Sequence, residues 1–134
     1  MKLYFEKYVN EDSSGKLHPV PSEFSFNVIP SIKRDLKAAG LDEDDLKDLE
    51  NHIKTTLPKT HYGFGVHKAE WWPSRFKQGK KEGRVIYIEV TLKNAVWIVK
   101  IYKKNQQKDL SKEELKQILQ FAKKLKEQWY VRII

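Results

Sequence analysis

An α+β fold follows from three features of this 134-residue sequence. Several short runs are rich in Tyr, Phe, Val and Ile and are bounded by turn residues, as strands are. Three other segments repeat apolar residues at helical spacing behind capping side chains. A hydrophobic content of 40%, with no Pro-rich or Ser-rich half, suits one core and leaves no room for a second domain, so residues 1–134 read as a single unit.

Residues 2–9 (KLYFEKYV) and 24–29 (FSFNVI) read as strands joined by a long connection that contains Asp-Ser-Ser-Gly and two prolines. Pro30 and Ser31 end the second strand, and Ile32, Leu36 and Ala39 then recur at helical spacing until Gly40. Asp42 caps a second helix in which Leu46, Leu49 and Ile53 share a face, Glu43, Asp44 and Asp45 favour the helix dipole, and Pro58 closes the element. His61 to Trp72 suggests one strand, Pro73 to Gly83 a basic loop, and Arg84 to Leu92 (RVIYIEVTL) another strand. After a tight turn at Lys93-Asn94, the most apolar run, Ala95 to Tyr102 (AVWIVKIY), belongs in the middle of the sheet. Ser111 and Glu114 form a capping box, and Leu115, Ile118, Leu119, Ala122, Leu125 and Trp129 make the apolar stripe of a third helix. Tyr130 to Ile134 (YVRII) reads equally as a last short strand or as an exposed apolar tail.

Composition excludes several chemistries. The absence of cysteine removes disulfides, thiolate nucleophiles and zinc-thiolate sites. No apolar stretch approaches the roughly 20 residues that span a bilayer. The alternating N-terminus lacks the apolar run of a secretory signal, so a cytoplasmic location is expected. Phosphate-binding Gly-rich loops, Gly-x-Ser-x-Gly elbows and His-Glu-x-x-His pairs are missing, and the four histidines are too scattered along the elements to suggest zinc. The acids at 42–48 fit the solvated start of a helix. A net charge of +8 favours polyanionic partners through counterion release, although a merely basic soluble surface accounts for it as well.

The positive charge is concentrated. Between His67 and Arg84 lie Lys68, Arg75, Lys77, Lys80, Lys81 and Arg84 against only Glu70 and Glu82, so this window holds about half of the net charge. Gly79 and Gly83 punctuate it, and Trp71, Trp72 and Phe76 are interleaved. Cations that hold phosphates beside rings that stack on unpaired bases suit single-stranded RNA. Taken one at a time, the tryptophans read as core or edge residues and the lysines as solubilising; taken together, the cluster favours phosphate binding. His67 beside Lys68 is the acid/base candidate, because imidazole titrates near neutrality and a neighbouring ammonium lowers its pKa. His61, six residues earlier, falls on the same side of an unbroken strand.

The sequence Gly83-Arg84-Val85-Ile86-Tyr87, then Trp97-Ile98-Val99-Lys100-Ile101-Tyr102-Lys103-Lys104-Asn105 and Asp109-Leu110-Ser111, resembles RelE/HigB-type toxins of type II toxin-antitoxin systems. Phe26 to Leu36 (FNVIPSIKRDL) is similar to the first strand and helix start of that family, so the resemblance runs from about 24 to 127. It implies a RelE-like small antiparallel sheet with two N-terminal helices and one C-terminal helix. It also implies an endoribonuclease that cuts mRNA in the ribosome without a metal or other cofactor, the RNA 2′-hydroxyl being the nucleophile. On this resemblance Lys68, Arg84, Tyr102 and Lys104, with His67 or a lysine as base, form the catalytic set, and Lys77, Lys80 and Lys81 belong to the basic loop; the basic-aromatic window itself adds Trp71, Trp72 and Arg75 as RNA contacts. The partners implied are mRNA, the ribosome and a cognate antitoxin of helix-turn-helix type, with no membrane. Two departures stand out. The family's second strand ends in a Lys/Arg pair around one apolar residue, whereas Lys68 is followed here by Ala69, Glu70 and two tryptophans; and residues 1–21 have no counterpart, reading as an added strand and loop. Two other functions fit the same sequence: a non-catalytic inhibitor of DNA gyrase, as in ParE-like relatives, and an accessory protein that binds nucleic acid without cutting it.

Overall fold

The computed structural model describes residues 17–133, with side chains described to Lys126. The strand expected over 2–9 and the side chain of Trp129 lie outside the described residues. In chain order the elements are β1 (Ser25–Val28), α1 (Ile32–Ala39), α2 (Asp45–Thr55), β2 (Thr60–Gly63), β3 (Val66–Glu70), β4 (Gly83–Val90), β5 (Ala95–Lys103) and α3 (Lys112–Ile133). The fold is α+β, with one five-stranded sheet in the order β1-β5-β4-β3-β2. No helix among the described residues is long and apolar enough to cross a membrane.

The sheet is mixed, which corrects the expected antiparallel one. Strands β2 to β5 run as an antiparallel meander, but β1 lies parallel to β5, with Ser25 opposite Ala95 and Val28 opposite Ile98. Parallel neighbours need a long crossover, and here the helix pair and the meander together supply it. β5 is interior, flanked by β1 and β4, yet the middle strand is β4, buried at every position. The segment 61–72 is not one strand: Gly63, Phe64 and Gly65 all adopt positive φ, at 98°, 54° and 80°, and fold it into the β2–β3 hairpin. Two glycines around one residue make this left-handed run affordable.

The helix ends follow their local chemistry. Gly40, at φ 75°, closes α1 by donating its N–H to the carbonyls at the helix end, and the N–H of Leu41 reaches back to Leu36. At α2 the N–H of Asp45 donates to Asp42 Oδ1 at 3.3 Å while the N–H of Asp42 donates to Asp45 Oδ2 at 3.0 Å, a reciprocal cap built from two aspartates. Ser111 and Glu114 exchange the same pair of bonds at α3, at 2.9 and 3.1 Å. That helix continues through Tyr130 to Ile133, so this segment is not a strand. Nothing between Lys112 and Ile133 breaks a helix, and propagation from a good cap carries through.

Two apolar layers sandwich the sheet. On one face Ile32, Leu36, Leu49 and Ile53 of α1 and α2 pack with Trp71, Val85, Tyr87, Ile98 and Ile101. On the other, Ala122 and Leu125 of α3 pack with Val66, Ile86, Ile88, Val99 and Tyr102. Val20, ahead of β1, is buried in the first layer and donates its N–H to the Ile53 carbonyl at 2.9 Å. Because β5 outlasts β1, the N–H of Ile101 has no strand partner and donates instead to Asp35 of α1 at 3.0 Å.

The hairpin tip is the least forgiving point of the fold. A Cβ on Gly65 would clash with the Glu89 carbonyl oxygen, and the residue already has φ 80°. Gly65→Ala is therefore expected to lower stability by about 2 kcal/mol or more in urea unfolding, through strain plus displacement of the β3–β4 pairing; an unchanged midpoint would contradict this geometry.

Candidate functional site

Strand register assembles the site. Glu70 lies opposite Arg84 in the β3–β4 pair and Arg84 opposite Tyr102 in the β4–β5 pair, so the three form one row across the sheet on the α3 side. Lys68, two residues before Glu70, shares that face. Arg84 is only 4% exposed; its guanidinium ion-pairs with Glu70 at 3.2 Å and donates to the carbonyls of Lys81 and Gly83 at 3.0 and 2.9 Å. Lys68 reaches the exposed carboxylate of Asp109 at 3.4 Å and lies 5.9 Å from the centre of the Tyr62 ring. The Tyr102 hydroxyl is buried and has no hydrogen-bond partner among the described residues. Burial pushes its pKa up to about 12, and the Asp109 carboxylate adds to the shift. Burial also works upward on Glu70, but the Lys59 hydrogen bond and the charges of Lys59, Arg84 and Lys81 outweigh it and hold the carboxyl below its ordinary value.

His67 stands apart from this group. It neighbours Lys68 on a strand, so its side chain emerges on the opposite face, toward Tyr87, whose ring centre is 5.3 Å away. Its Nε2 is 3.7 Å from Glu89 and its Nδ1 is 3.2 Å from Nδ1 of His61. Burial first, then His61, His18 and Lys126, bring its pKa down to about 3. The direction is the one read from the sequence; the cause is burial and these cations, with no part for Lys68. His61 does share a side with His67, because the two are cross-strand partners in the hairpin and not because one strand carries both. Since the two ring nitrogens of His67 address different neighbours, His67, His61 and Glu89 do not converge on one point.

The other basic and aromatic residues divide into three groups. Trp71 and Trp72, 1% and 5% exposed, belong to the core, and neither ring presents a free face for a base. Trp71 donates its indole N–H to Asp48 at 2.9 Å, while the Lys103 ammonium lies 5.6 Å from the centre of the Trp72 ring. Their placement has the ordinary cause that large rings following a buried strand fill the layer beneath it. Arg75 is committed to α2, with Nε and Nη2 at 2.6 and 2.9 Å from the two oxygens of Asp45, whose pKa this guanidinium lowers. Lys77, Lys80, Lys81 and Lys104 are exposed and have no carboxylate within ion-pair distance among the described residues. The N–H of Lys104 donates to the Glu82 carbonyl at 2.9 Å, which ties the end of β5 to the basic loop. Gly83 makes this junction possible, since a Cβ there would meet the Trp71 carbonyl and the Trp72 ring.

The sequence singled out Lys68, Arg84 and Tyr102, and the structure brings these three together. It adds three residues that the sequence reading gave no role in a site: Glu70, Tyr62 and Asp109. Glu70 was detectable as the residue two after Lys68, on the same side of a strand; the approach of Asp109 comes from the loop after β5 and has no local signature. No protein-family model matches the chain, and no curated protein matches it in sequence.

Neutral burial of His67 has a measurable consequence. Its folded pKa lies below the ordinary 6.5 of an unfolded chain, so its contribution to stability is complete above that pH and is lost as pH falls from 6.5 toward 3, where only the unfolded chain takes up the proton. The urea midpoint of the native protein should therefore fall more steeply across that window than the midpoint of His67→Gln; equal slopes would mean that the imidazole is not held neutral.

Proposed function

We propose that this protein is a RelE/HigB-type toxin that cuts mRNA in the ribosome without a metal and is restrained by an antitoxin. The observation that supports it most is the row on one sheet face in which a buried phenol, without a hydrogen-bond partner among the described residues, lies beside a guanidinium, with Lys68 and its carboxylate partner next to them. The helix arrangement, a pair near the N-terminus and one helix at the C-terminus, is compatible with the fold that the resemblance implies. Lys77, Lys80, Lys81 and Lys104, which have no ion pair among the described residues, supply attraction for a polyanion at the same end of the sheet.

In this reading the 2′-oxygen of the RNA attacks the adjacent phosphorus. The O2′–P bond forms and the P–O5′ bond breaks, leaving a 2′,3′-cyclic phosphate and a 5′-hydroxyl. The Asp109 carboxylate, held by Lys68, takes the proton from the 2′-hydroxyl, and Arg84 stabilises the charge that gathers on the phosphoryl oxygens. Tyr102, whose raised pKa keeps it protonated at neutral pH, gives a proton to the departing O5′; because its hydroxyl and the Arg84 guanidinium are buried, both act only once the bound RNA displaces what covers them. His67 takes no part, because the sheet separates it from this face. The pairing of Arg84 with Glu70 and of Lys68 with Asp109 favours one second reading, an accessory protein that binds RNA without cutting it.

Primer extension on a reporter mRNA, translated with and without the protein and compared with naked mRNA, separates the two. Cuts should require translation and fall by about 100-fold in Tyr102→Phe and in Arg84→Ala. Tyr102→Phe is the cleaner variant, since it removes a hydroxyl that satisfies nothing and should leave folding intact. Intact RNA in every lane would end the nuclease reading and leave binding.

A further inference from the structure

We propose that the cleft between α2 and the segment 71–80 is a binding site for a single nucleotide, with its phosphate on Lys77 and Lys80 and its base against Asn51. The cleft has a volume of about 400 Å³, within the range of small-ligand sites. It lies on the α1–α2 side of the sheet, opposite the row of Glu70, Arg84 and Tyr102. The choice of ligand class rests on the RNA reading above; the geometry of the cleft does not.

Charge argues for an anion. Lys77 and Lys80 line the cleft and carry no ion pair among the described residues. The acid in the wall, Asp48, is already occupied: it accepts the Trp71 indole N–H at 2.9 Å and both the N–H and the hydroxyl of Ser74. Asp48 keeps its charge under these three bonds from neutral donors, so two unpaired lysines stand against one carboxylate that is already held by Trp71 and Ser74; a phosphate is the ligand that bridges two such ammonium groups.

The wall has an apolar side and a polar one. Phe76, with the buried Trp72 5.8 Å behind it and the Arg75 guanidinium 4.1 Å from its ring centre, makes the apolar side and offers edge contact, not a free stacking face. His52 lies at the border, its pKa lowered by burial and by Lys80. The Asn51 side-chain amide is exposed and engages no other described residue, so it offers a donor and an acceptor together, the pattern that pairs with a base edge. The short helical turn Lys80–Glu82 then leads directly into Gly83 and Arg84, and the Lys81 carbonyl accepts a bond from the Arg84 guanidinium at 3.0 Å. A nucleotide seated in the cleft is thus one turn of backbone away from the catalytic face, and the strand carrying it would pass over this end of the sheet.

Titration of the full chain with the four nucleoside 5′-monophosphates, followed by tryptophan fluorescence and compared with inorganic phosphate and uncharged nucleosides, tests the site. Saturable binding should weaken about tenfold or more in Lys77→Ala/Lys80→Ala, both exposed positions whose loss should not disturb folding. Asn51→Ala should change the ranking of the four bases, and Tyr102→Phe should bind as the native chain does. Absence of saturation, indifference to the lysine pair, or phosphate binding as tightly as the nucleotides would overturn the proposal. Nucleotide binding together with intact RNA in the primer-extension lanes would uphold this site and remove the nuclease reading; cleavage without nucleotide binding would do the reverse.

Discussion

Strand β4 imposes the constraint on which the rest depends. Both of its faces are covered, so each polar side chain on it must be compensated inside the protein. Arg84 at one end is matched by Glu70 and two carbonyls. Glu89 at the other end meets His67 and His18 at 3.7 and 3.8 Å. The candidate catalytic row and the histidine group are thus two ends of one buried strand, set on opposite faces by the alternation of its side chains.

Much of this was legible in the sequence, for local reasons. The helix at 32–39 is bounded by residues that act within one turn, and the Ser111–Glu114 cap is a contact between near neighbours. The β2–β3 turn was missed because Gly63 and Gly65 sit inside a run whose aromatic and β-branched residues read as continuous strand. The direction of β1 was missed because its partner is far along the chain, and no local pattern distinguishes a parallel neighbour from an antiparallel one.

The site divides in the same way. Residue types and their alternation were sufficient to select Lys68, Arg84 and Tyr102, and period-two alternation alone places His67 away from Lys68. That Arg84 and Tyr102 are neighbours depends on a register containing a bulge between Ile86 and Tyr87, which composition does not encode. The burial of Trp71 and Trp72 likewise depends on what lies beneath the loop. A tryptophan beside a basic run has the same sequence signature whether it faces a base or Leu49.

The parallel pairing of β1 with β5 bears on the order in which the fold can form. Ser25 has nothing to pair with until Ala95 is in place, and closing so long a loop is worthwhile only once β4 and β5 offer a ready edge. During synthesis β1, the first strand among the described residues, waits longest for its sheet partner. Until then α1 lacks the surface against which Ile32 and Leu36 pack, and the Ile101 amide that Asp35 caps has not been made. The sheet thus closes late in translation, after all five of its strands have been synthesised.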